Sequence, residues 1–522
     1  MKYIDLHCHP TLKAMFKNEF KPGNNWNGIF PANKIFGDII ESQTCYNQLI
    51  QSSNLVVIAL HPIESGMIDN WLIKLASRTI LKNYLHTKKL DSIRSGDINS
   101  NKLLREEYSC IEDKDPKGVN QIKVLKSMSE YNPSDLNTLH VIISVEGGHA
   151  YYGGKNELTD YATISKNFKD FLSNESLFLY QTITHLTDNV LANHCYGNKI
   201  LPKEKMLPSG DGITSDGKKF IELVYDSNVL VDLKHLSLVS RKQLYKLRKE
   251  KNITKPLIFS HGATTGFSWT NILGKNDQGK FKVRKIIINE AANKVRLDYY
   301  PYYNELTYLN HYPLSINIYD EEIVEIIKSK GLIGLTLDTR ILGAKGGVPS
   351  EFLSFKEFKK WEVDFFKNKS KSEEMAMFKG TSEEMFNDVE VDYFVVDNGD
   401  LFEEEVIDEK LLRASMIYQS RIFANQILHI HSVIKVAQQT HQECLGIDPL
   451  NHICIGSDFD GLIQTPSNCR NAKFIDNFIG SVKTVLPIIA KDAGVEISDL
   501  DGLLVRIFHD NLFNFIKEHF KK

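Results

Sequence analysis

The sequence has few of the features that mark secreted or membrane-spanning proteins. It contains seven cysteines in 522 residues, a sparse and odd set that does not suit the disulfide framework of a secreted domain. No stretch approaches about 18 uninterrupted apolar residues, so we expect no membrane-spanning helix. The first segment, MKYIDLHCHPTLKAMFKNEF, lacks the apolar core and cleavage site of a secretory signal. A cytoplasmic location with reduced cysteines is therefore expected.

The chain also carries little net charge. Its 63 Lys and Arg residues nearly balance 66 Asp and Glu residues, which leaves a formal charge of −3. No overall basic field exists to attract nucleic acid or anionic lipid, so we expect neither as a partner. Hydrophobic residues at 42% and charged residues at 25% are typical of an ordinary globular protein.

Short β-branched runs recur along the chain, and helical patterns separate most of them. The predicted strands are residues 3–9, 54–61, 140–147, 177–185, 229–235, 256–261, 332–338 and 452–458. Their near-continuous apolar character predicts a parallel sheet that is covered on both faces. We therefore predict an α/β fold, a (β/α)8 TIM barrel made by residues 1–522 as one domain, with its chemistry at the carboxyl ends of the strands.

Two long insertions interrupt this pattern. Residues 264–312 include an aromatic-rich stretch, and residues 343–412 are rich in charge. Segments of this length commonly form lids or partner contacts, and a homodimer is one candidate arrangement. For the acidic run at the end of the second insertion, a solvated surface is the favoured explanation, because blocks of charge usually behave in this way. Residues 413–443 predict a long amphipathic helix, and residues 500–520 predict a closing helix.

The first predicted strand carries two histidines in the motif IDLHCHP. Side chains alternate along a strand, so His7 and His9 share a face about 6.6 Å apart along the chain and can bind one metal ion. Cys8 faces the other way and is expected to be a small buried hydrophobe. Paired histidines also arise by chance, so this motif alone leaves a structural role open.

Other strand ends add a carboxylate and further imidazoles. Glu146 ends the strand of VIISVEGGH, where a carboxylate is costly unless it is paired or bound to metal. His235 in VDLKHLS and His261 in FSHG end two later strands, and each alone could be an ordinary core histidine. Together with the first pair they supply the donors that zinc prefers, and a bridging Glu146 would let two ions hold one hydroxide.

Two more strand ends carry groups suited to proton transfer and charge stabilisation. Asp458 in GSDFDG is a candidate general acid and base, and Asp460 is expected to lie behind it. The alternative for this pair is a turn that the two aspartates stabilise. His185 in YQTITH could donate a hydrogen bond to a developing oxyanion, or could simply cap its strand.

Read in order, five segments resemble the renal or membrane dipeptidase family, peptidase family M19 of the amidohydrolase superfamily. They are EGGH, TITHLTDN, GITSDGKKFIELVYDSNVLVDLKHLS, FSHG and IGSDFDG, and the resemblance covers most of the chain outside the two insertions. It implies a (β/α)8 barrel and two zinc ions. It also implies that Glu146 bridges the ions and that His235 and His261 bind the second one. His185 would then contact the tetrahedral centre of the substrate, and Asp458 would be the catalytic aspartate.

The chain departs from that family in two places. The family's first motif is usually His-x-Asp, whereas this chain has His7-Cys8-His9, which adds about one positive charge to the first metal site. The family also has an arginine that resembles a holder of the substrate carboxylate, and none stands beside Asn317 here. The candidates to replace it are Arg284, Arg296 and Arg340.

The resulting hypothesis is a metallohydrolase that cleaves a small amide, with a dipeptide expected, by a hydroxide that bridges two divalent metal ions, with zinc expected. Two alternatives stay open. One is a TatD-like phosphodiesterase or nuclease, because those barrels also begin with His-x-His. The other is a metal-binding barrel without turnover, which the missing arginine would explain. The near-neutral charge and the EGGH and GSDFDG segments favour the dipeptidase hypothesis over the nuclease.

Overall fold

The computed structural model describes residues 2–17, 21–30, 40–69, 77–78, 84–154, 159–174, 177–197, 204–273, 282–300, 302–304, 309–343, 349–366, 377–379 and 409–520. The strands within these ranges are β1 Ile4–Cys8, β2 Leu55–Leu60, β3 Gln121–Val124, β4 Thr138–Val145, β5 Phe178–Thr182, β6 Leu230–Asp232, β7 Ile258–Gly262, β8 Val283–Asn289, β9 Lys294–Tyr299, β10 Tyr302–Asn304, β11 Leu309–His311, β12 Leu332–Leu335, β13 Ser350–Ser354, β14 Met377–Lys379 and β15 Ile453–Ile455.

Eight of these strands confirm the predicted barrel. β1, β2, β4, β5, β6, β7, β12 and β15 lie side by side in that order, and every pair is parallel. The ring closes between β1 and the residues after β15. There the Asp458 amide donates to the His7 carbonyl at 2.9 Å, and the His9 amide donates to the Phe459 carbonyl at 2.9 Å. The extra strand β3 pairs in parallel with the first four residues of β4, from Thr138 to Val141.

The barrel strands are buried along their whole length, as their β-branched composition predicts. Close packing inside the ring requires glycine at one position within β12 and at one position directly after β15. A Cβ at Gly334 in β12, or at Gly456 directly after β15, would collide with the Ser260 carbonyl oxygen of β7. Small residues at these positions bring the strand ends, and therefore the side chains that follow them, close together.

The helices of the described residues are α1 Leu12–Met15, α2 Asn24–Asn27, α3 Tyr46–Ser52, α4 Ser65–Ile68, α5 Thr87–Ser95, α6 Ser100–Ser109, α7 Tyr161–Asn174, α8 Ser215–Asp226, α9 Leu238–Glu250, α10 Asp320–Lys328, α11 Thr339–Leu342, α12 Phe355–Phe366, α13 Glu409–Thr440, α14 Ile475–Asp492, α15 Leu500–Val505 and α16 Asn511–His519. The long helix predicted for residues 413–443 is confirmed as α13. The predicted closing helix consists of α15 and α16, joined by a π-helical turn over Arg506–Asp510.

The last helix closes one end of the barrel. Phe515 and Ile516 of α16 pack in one apolar cluster with the first residues of several barrel strands, including Ile4, Leu55 and Leu332. This end is therefore filled by aliphatic and aromatic side chains. The carboxyl ends of the strands lie at the opposite end, where the polar residues of the predicted site follow them.

The described parts of the two insertions build a second, smaller sheet. Its order is β13-β9-β8-β14, and β10 and β11 form a separate antiparallel pair. The face of this sheet that carries Ile287 and Phe352 packs on Tyr196 and Leu207, close to the barrel. Most of the predicted charged insertion, including its acidic run, lies outside the described residues. The role of either insertion as a lid or a partner contact stays a prediction.

Two predictions about chemistry and environment are tested by the fold itself. All seven cysteines are free thiols, and all are buried, so the expected absence of disulfides is confirmed. Within the described part of the chain, none of the helices has both the length and the apolar character needed to cross a membrane.

Candidate metal centre

The barrel brings every predicted site residue to the carboxyl end of its strands. His7 lies in β1 and His261 in β7, while Glu146 directly follows β4. The others lie one to three residues past a strand end: His9 after β1, His185 after β5, His235 after β6 and Asp458 after β15. All seven side chains are buried. The predicted strands 177–185, 229–235 and 452–458 are too long. In each, the chain leaves the sheet three residues before the predicted end, which is His185, His235 or Asp458.

The turns carry backbone conformations that a strand cannot contain. His235 has φ 65° and Asp458 has φ 63°, both in the left-handed region that non-glycine residues adopt rarely. Such strained residues cluster at functional sites, where the surrounding structure holds them in place. At both positions the turn directs the side chain back toward the centre of the barrel mouth.

The Glu146 carboxylate lies at the centre of six imidazoles. Its Oε1 is 3.1 Å from His235 Nε2 and 3.6 Å from both His7 Nε2 and His261 Nε2. Its Oε2 is 3.3 Å from His9 Nε2, 3.6 Å from His61 Nδ1 and 3.9 Å from His185 Nε2. Each carboxylate oxygen thus faces three nitrogen atoms, which is an arrangement suited to a bridging ligand.

The spacing of these donors fits four-coordinate cations. With zinc–ligand distances of about 2.0–2.1 Å, two ligands of a tetrahedral ion lie about 3.3–3.4 Å apart. His7 Nε2 and His9 Nε2 are 2.9 Å apart, and His235 Nε2 and His261 Nε2 are 3.2 Å apart. His235 and His261 both face Glu146 Oε1, at 3.1 and 3.6 Å, whereas His7 lies 3.6 Å from Oε1 and His9 lies 3.3 Å from Oε2. The residues present therefore fit a divalent ion, and their donors form three overlapping groups: His7, Glu146 and His261; His7, His9 and Asp458; and His61, Glu146 and His185.

Most of the imidazoles are oriented through their second ring nitrogen. The Nδ1 partners are Tyr180 Oη for His7 at 2.7 Å, the Ala59 carbonyl for His9 at 2.8 Å, Ser260 Oγ for His261 at 2.8 Å and Glu64 Oε2 for His185 at 2.6 Å. Such outer contacts fix the ring and its tautomer, so that Nε2 presents its lone pair to a metal.

The electrostatic environment keeps most of these rings neutral. Burial lowers the pKa of His7, His235 and His261 well below the usual value for histidine, and nearby imidazoles lower it further. Neutral imidazole is the form that binds metal. His9 differs: burial would lower its pKa, but the carboxylates of Asp458 and Glu146 outweigh that effect and raise it to about 9.

Asp458 and Asp460 occupy different environments. Asp458 Oδ1 lies 3.5 Å from His9 Nε2 and 3.9 Å from His7 Nε2, and burial raises the pKa of its carboxyl group. Asp460 binds Lys13 Nζ at 2.6 Å and accepts hydrogen bonds from the amides of Gln43 and Thr44. It therefore anchors the loop behind Asp458 and does not face the histidines.

Sequence reasoning did not select three residues of this site. His61 follows β2 and lines the cavity. It is the last residue of the predicted strand 54–61, so its position is a sequence signal that could have identified it as a site residue. Glu64 holds His185, a contact between residues 121 positions apart that no local motif announces. Lys234 also lines the cavity; its buried amino group has no hydrogen-bond partner among the described residues, and burial lowers its pKa.

Of the three arginines proposed to hold a substrate carboxylate, Arg340 lines the cavity. Its guanidinium donates to both carboxylate oxygens of Asp338, at 2.9 and 2.7 Å. Arg296 pairs with Asp298 in the smaller sheet, and Arg284 is exposed on β8. The cavity beside the metal centre also has an apolar wall, made by Leu12, Met67, Leu186, Ile316, Ile341 and Leu462.

Comparison with known proteins gives structural similarity only. No family model matches the sequence, and no curated protein matches it. A metallopeptidase from Rhodobacter sphaeroides, solved with a phosphinate mimic of the dipeptide L-Ala-D-Ala, is 12% identical, with 99% of each chain covered and a TM-score of 0.47. A dipeptidase described as a metallopeptidase of family M19 is 11% identical, with 100% of this chain and 99% of that chain covered and a TM-score of 0.45.

A third structure, the probable dipeptidase PvdM from Pseudomonas aeruginosa, is 11% identical, with 99% of this chain and 95% of that chain covered and a TM-score of 0.47. Similarity at this level assigns neither ligands nor a substrate to this chain.

Proposed function

We propose that this chain is a metal-dependent hydrolase of small amides, with dipeptides as the first substrate class to test. The observation that carries the proposal is the position of Glu146 among buried imidazoles whose mutual distances fit two divalent ions. The order of the EGGH, FSHG and GSDFDG segments supports the same reaction. The apolar wall of the cavity suits the side chain of a small amide better than a polyanionic strand.

Five residues would hold the ions: His7, His9, Glu146, His235 and His261. The donor set of imidazoles and one carboxylate favours zinc. When bound, two such ions lower the pKa of water toward about 7 and polarise a carbonyl oxygen. The contribution of the chain is to fix these donors before any ion binds, through the outer contacts of His7, His9 and His261.

Asp458 would move the proton of the reaction. Its Oδ1 lies beside His9 at 3.5 Å, inside the cavity. Burial raises the pKa of this carboxyl group, so that its basicity is closer to that needed for proton transfer near neutral pH. It would accept a proton from the attacking water at Oδ1 and deliver it to the nitrogen of the departing amine.

His185 would stabilise the charge that develops on the carbonyl oxygen. Burial would lower its pKa, but the carboxylates of Glu64 and Glu146 raise it above the usual value. His185 Nδ1 donates to Glu64, and in the protonated form, which the raised pKa favours, Nε2 would donate to an atom in the cavity. A positioned donor of this kind is most effective where charge appears only in the transition state.

The test combines metal removal with a substrate panel. The purified chain should lose hydrolysis of dipeptides and N-acyl amino acids after dialysis against a chelator and regain it when zinc is added back. A generic phosphodiester assayed in parallel should not be cleaved. Activity that survives complete metal removal would overturn the proposal, and cleavage of the phosphodiester alone would replace it with the nuclease alternative. Metal binding without any hydrolysis would favour the barrel that lacks turnover.

A further inference from the structure

A further group of possible metal ligands shares Glu146 with the five proposed ligands and adds His61 and His185. His61 Nδ1 is 3.6 Å from Glu146 Oε2, and His185 Nε2 is 3.9 Å from the same oxygen. The ligand atoms of the three residues all lie within 4.8 Å of one another. The His61 and His185 rings are 4.1 Å apart, and all three side chains are buried. This group has the size and chemistry of a cation site.

His61 is the residue without an evident structural role. Both of its ring nitrogens are buried, and neither has a hydrogen-bond partner among the described residues. A buried polar group without a partner costs free energy, and an imidazole contains two such groups. Its backbone amide already binds Glu107, so the main chain fixes the residue independently of the ring. An imidazole held in this way beside a carboxylate needs a ligand to satisfy it.

We propose that His61, His185 and Glu146 Oε2 form a third, inhibitory site for a divalent cation. This inference rests on the proposed function, because a cation at this site takes the Nε2 atom of His185 that would otherwise face the substrate oxygen. The Glu64 carboxylate on the far side of His185, at 2.6 Å, completes the carboxylate–histidine arrangement that commonly supports a metal ligand.

The third site should be weaker than the first two. Glu146 contributes the one carboxylate oxygen in the group, and the same side chain already serves the two proposed catalytic ions. Repulsion between like charges at such short distances reduces the affinity for a further cation. The structure therefore predicts a hydrolase that is active with two zinc ions and is inhibited as free zinc rises and the third site fills.

The experiment is equilibrium dialysis of the metal-free full-length chain against increasing Zn²⁺, with the bound zinc measured directly. We expect two tightly bound ions and a weaker third in the wild type. His61→Asn and His61→Phe should each lose the third ion only; the phenylalanine variant keeps the ring shape without any donor. His140→Asn is the matched control, because His140 is a buried histidine at the start of β4 whose nitrogens contact Asn54 and Asn132.

Activity measured along the same titration supplies the second readout. The wild type and the His140→Asn control should lose activity over the range in which the third ion binds, whereas the His61 variants should keep the activity that they have at low zinc. A wild type that stops at two ions, or a folded His61 variant that still binds three, would overturn the third site and leave the proposed function intact. A wild type that binds no zinc would refute both.

Discussion

The Glu64–His185 pair gives the sharpest test of the proposed chemistry. The Glu64→Gln substitution keeps an oxygen that can accept from His185 Nδ1, but it removes the charge that raises the pKa of His185. Both side chains are buried, with 3% and 9% of their surface exposed, so solvent screens the interaction little. We expect the variant to bind two zinc ions normally and to lose turnover.

The size of the loss follows from the strength of the bond. A hydrogen bond to a charged group contributes about 1.5–3 kcal/mol. If that energy is realised only when charge develops on the substrate oxygen, kcat falls roughly 10- to 150-fold with little change in KM. The pH dependence should change as well. Because the Glu64 carboxylate raises the pKa of His185, its removal should shift the alkaline loss of activity to lower pH.

The assay is steady-state hydrolysis of the best dipeptide from pH 5 to pH 10, together with metal analysis of each variant. Thr187→Val is the matched control. Thr187 donates to Glu64 Oε1 at 2.5 Å, whereas His185 Nδ1 contacts Glu64 Oε2, so this variant removes a hydrogen bond to Glu64 but keeps its charge and its bond to His185. A Glu64→Gln enzyme with unchanged kcat and an unchanged alkaline limb would refute the role of His185. An equal loss in the threonine variant would show that Glu64 acts by holding the loop.

Four further predictions follow from the site and the fold. Asp458→Asn should keep two zinc ions and lose at least about 100-fold in turnover, the low end for a general acid and base; unchanged turnover would reassign the proton transfer. Glu146→Gln should lower zinc occupancy, since a neutral amide bridges two cations poorly, and metal analysis that still finds both ions would contradict bridging. In the metal-free chain, His7, His235 and His261 should each oppose folding as the pH falls below about 6.5, the usual histidine pKa. Burial lowers the pKa of these three rings, so the unfolded chain takes up protons there that the folded chain binds only at lower pH; a folded His261→Asn variant whose stability in urea changes between pH 7 and pH 5 as in the wild type would argue against a neutral buried ring. Arg241→Met should cost about 3–5 kcal/mol in urea unfolding because it leaves the fully buried Glu322 carboxylate without its 2.6 Å partner, and adding Glu322→Leu should recover only part of that loss, because Arg241 also donates to the carbonyls of Leu236, Ser315 and Asn317.

The barrel and most of the centre could be predicted from the sequence for one physical reason. Parallel strands that are buried on both faces have a recognisable composition, and their carboxyl ends meet at one end of a barrel. A histidine or carboxylate directly after such a strand is therefore placed near the others without knowledge of any contact. His7 and His261 lie near the carboxyl ends of two such strands and Glu146 directly follows a third, and Glu146 Oε1 lies 3.6 Å from the Nε2 atom of each histidine.

The remaining features depend on contacts between distant parts of the chain. The small sheet pairs β9 with β13, which begins about fifty residues after β9, and no local pattern specifies that pairing. The predicted ends of β6 and β15 lie three residues beyond the observed ends. The reason is that His235 and Asp458 adopt left-handed conformations, which propensity alone does not anticipate in these residue types. Glu64 was missed because its function exists only through its bond to His185.

Anomalous diffraction at the zinc edge, from crystals of the full chain grown with limiting zinc, tests the central claim most directly. The geometry predicts two peaks on either side of the Glu146 carboxylate, one next to His7 and His9 and the other next to His235 and His261. Peaks located elsewhere, or zinc-bound crystals with no peak at Glu146, would contradict it.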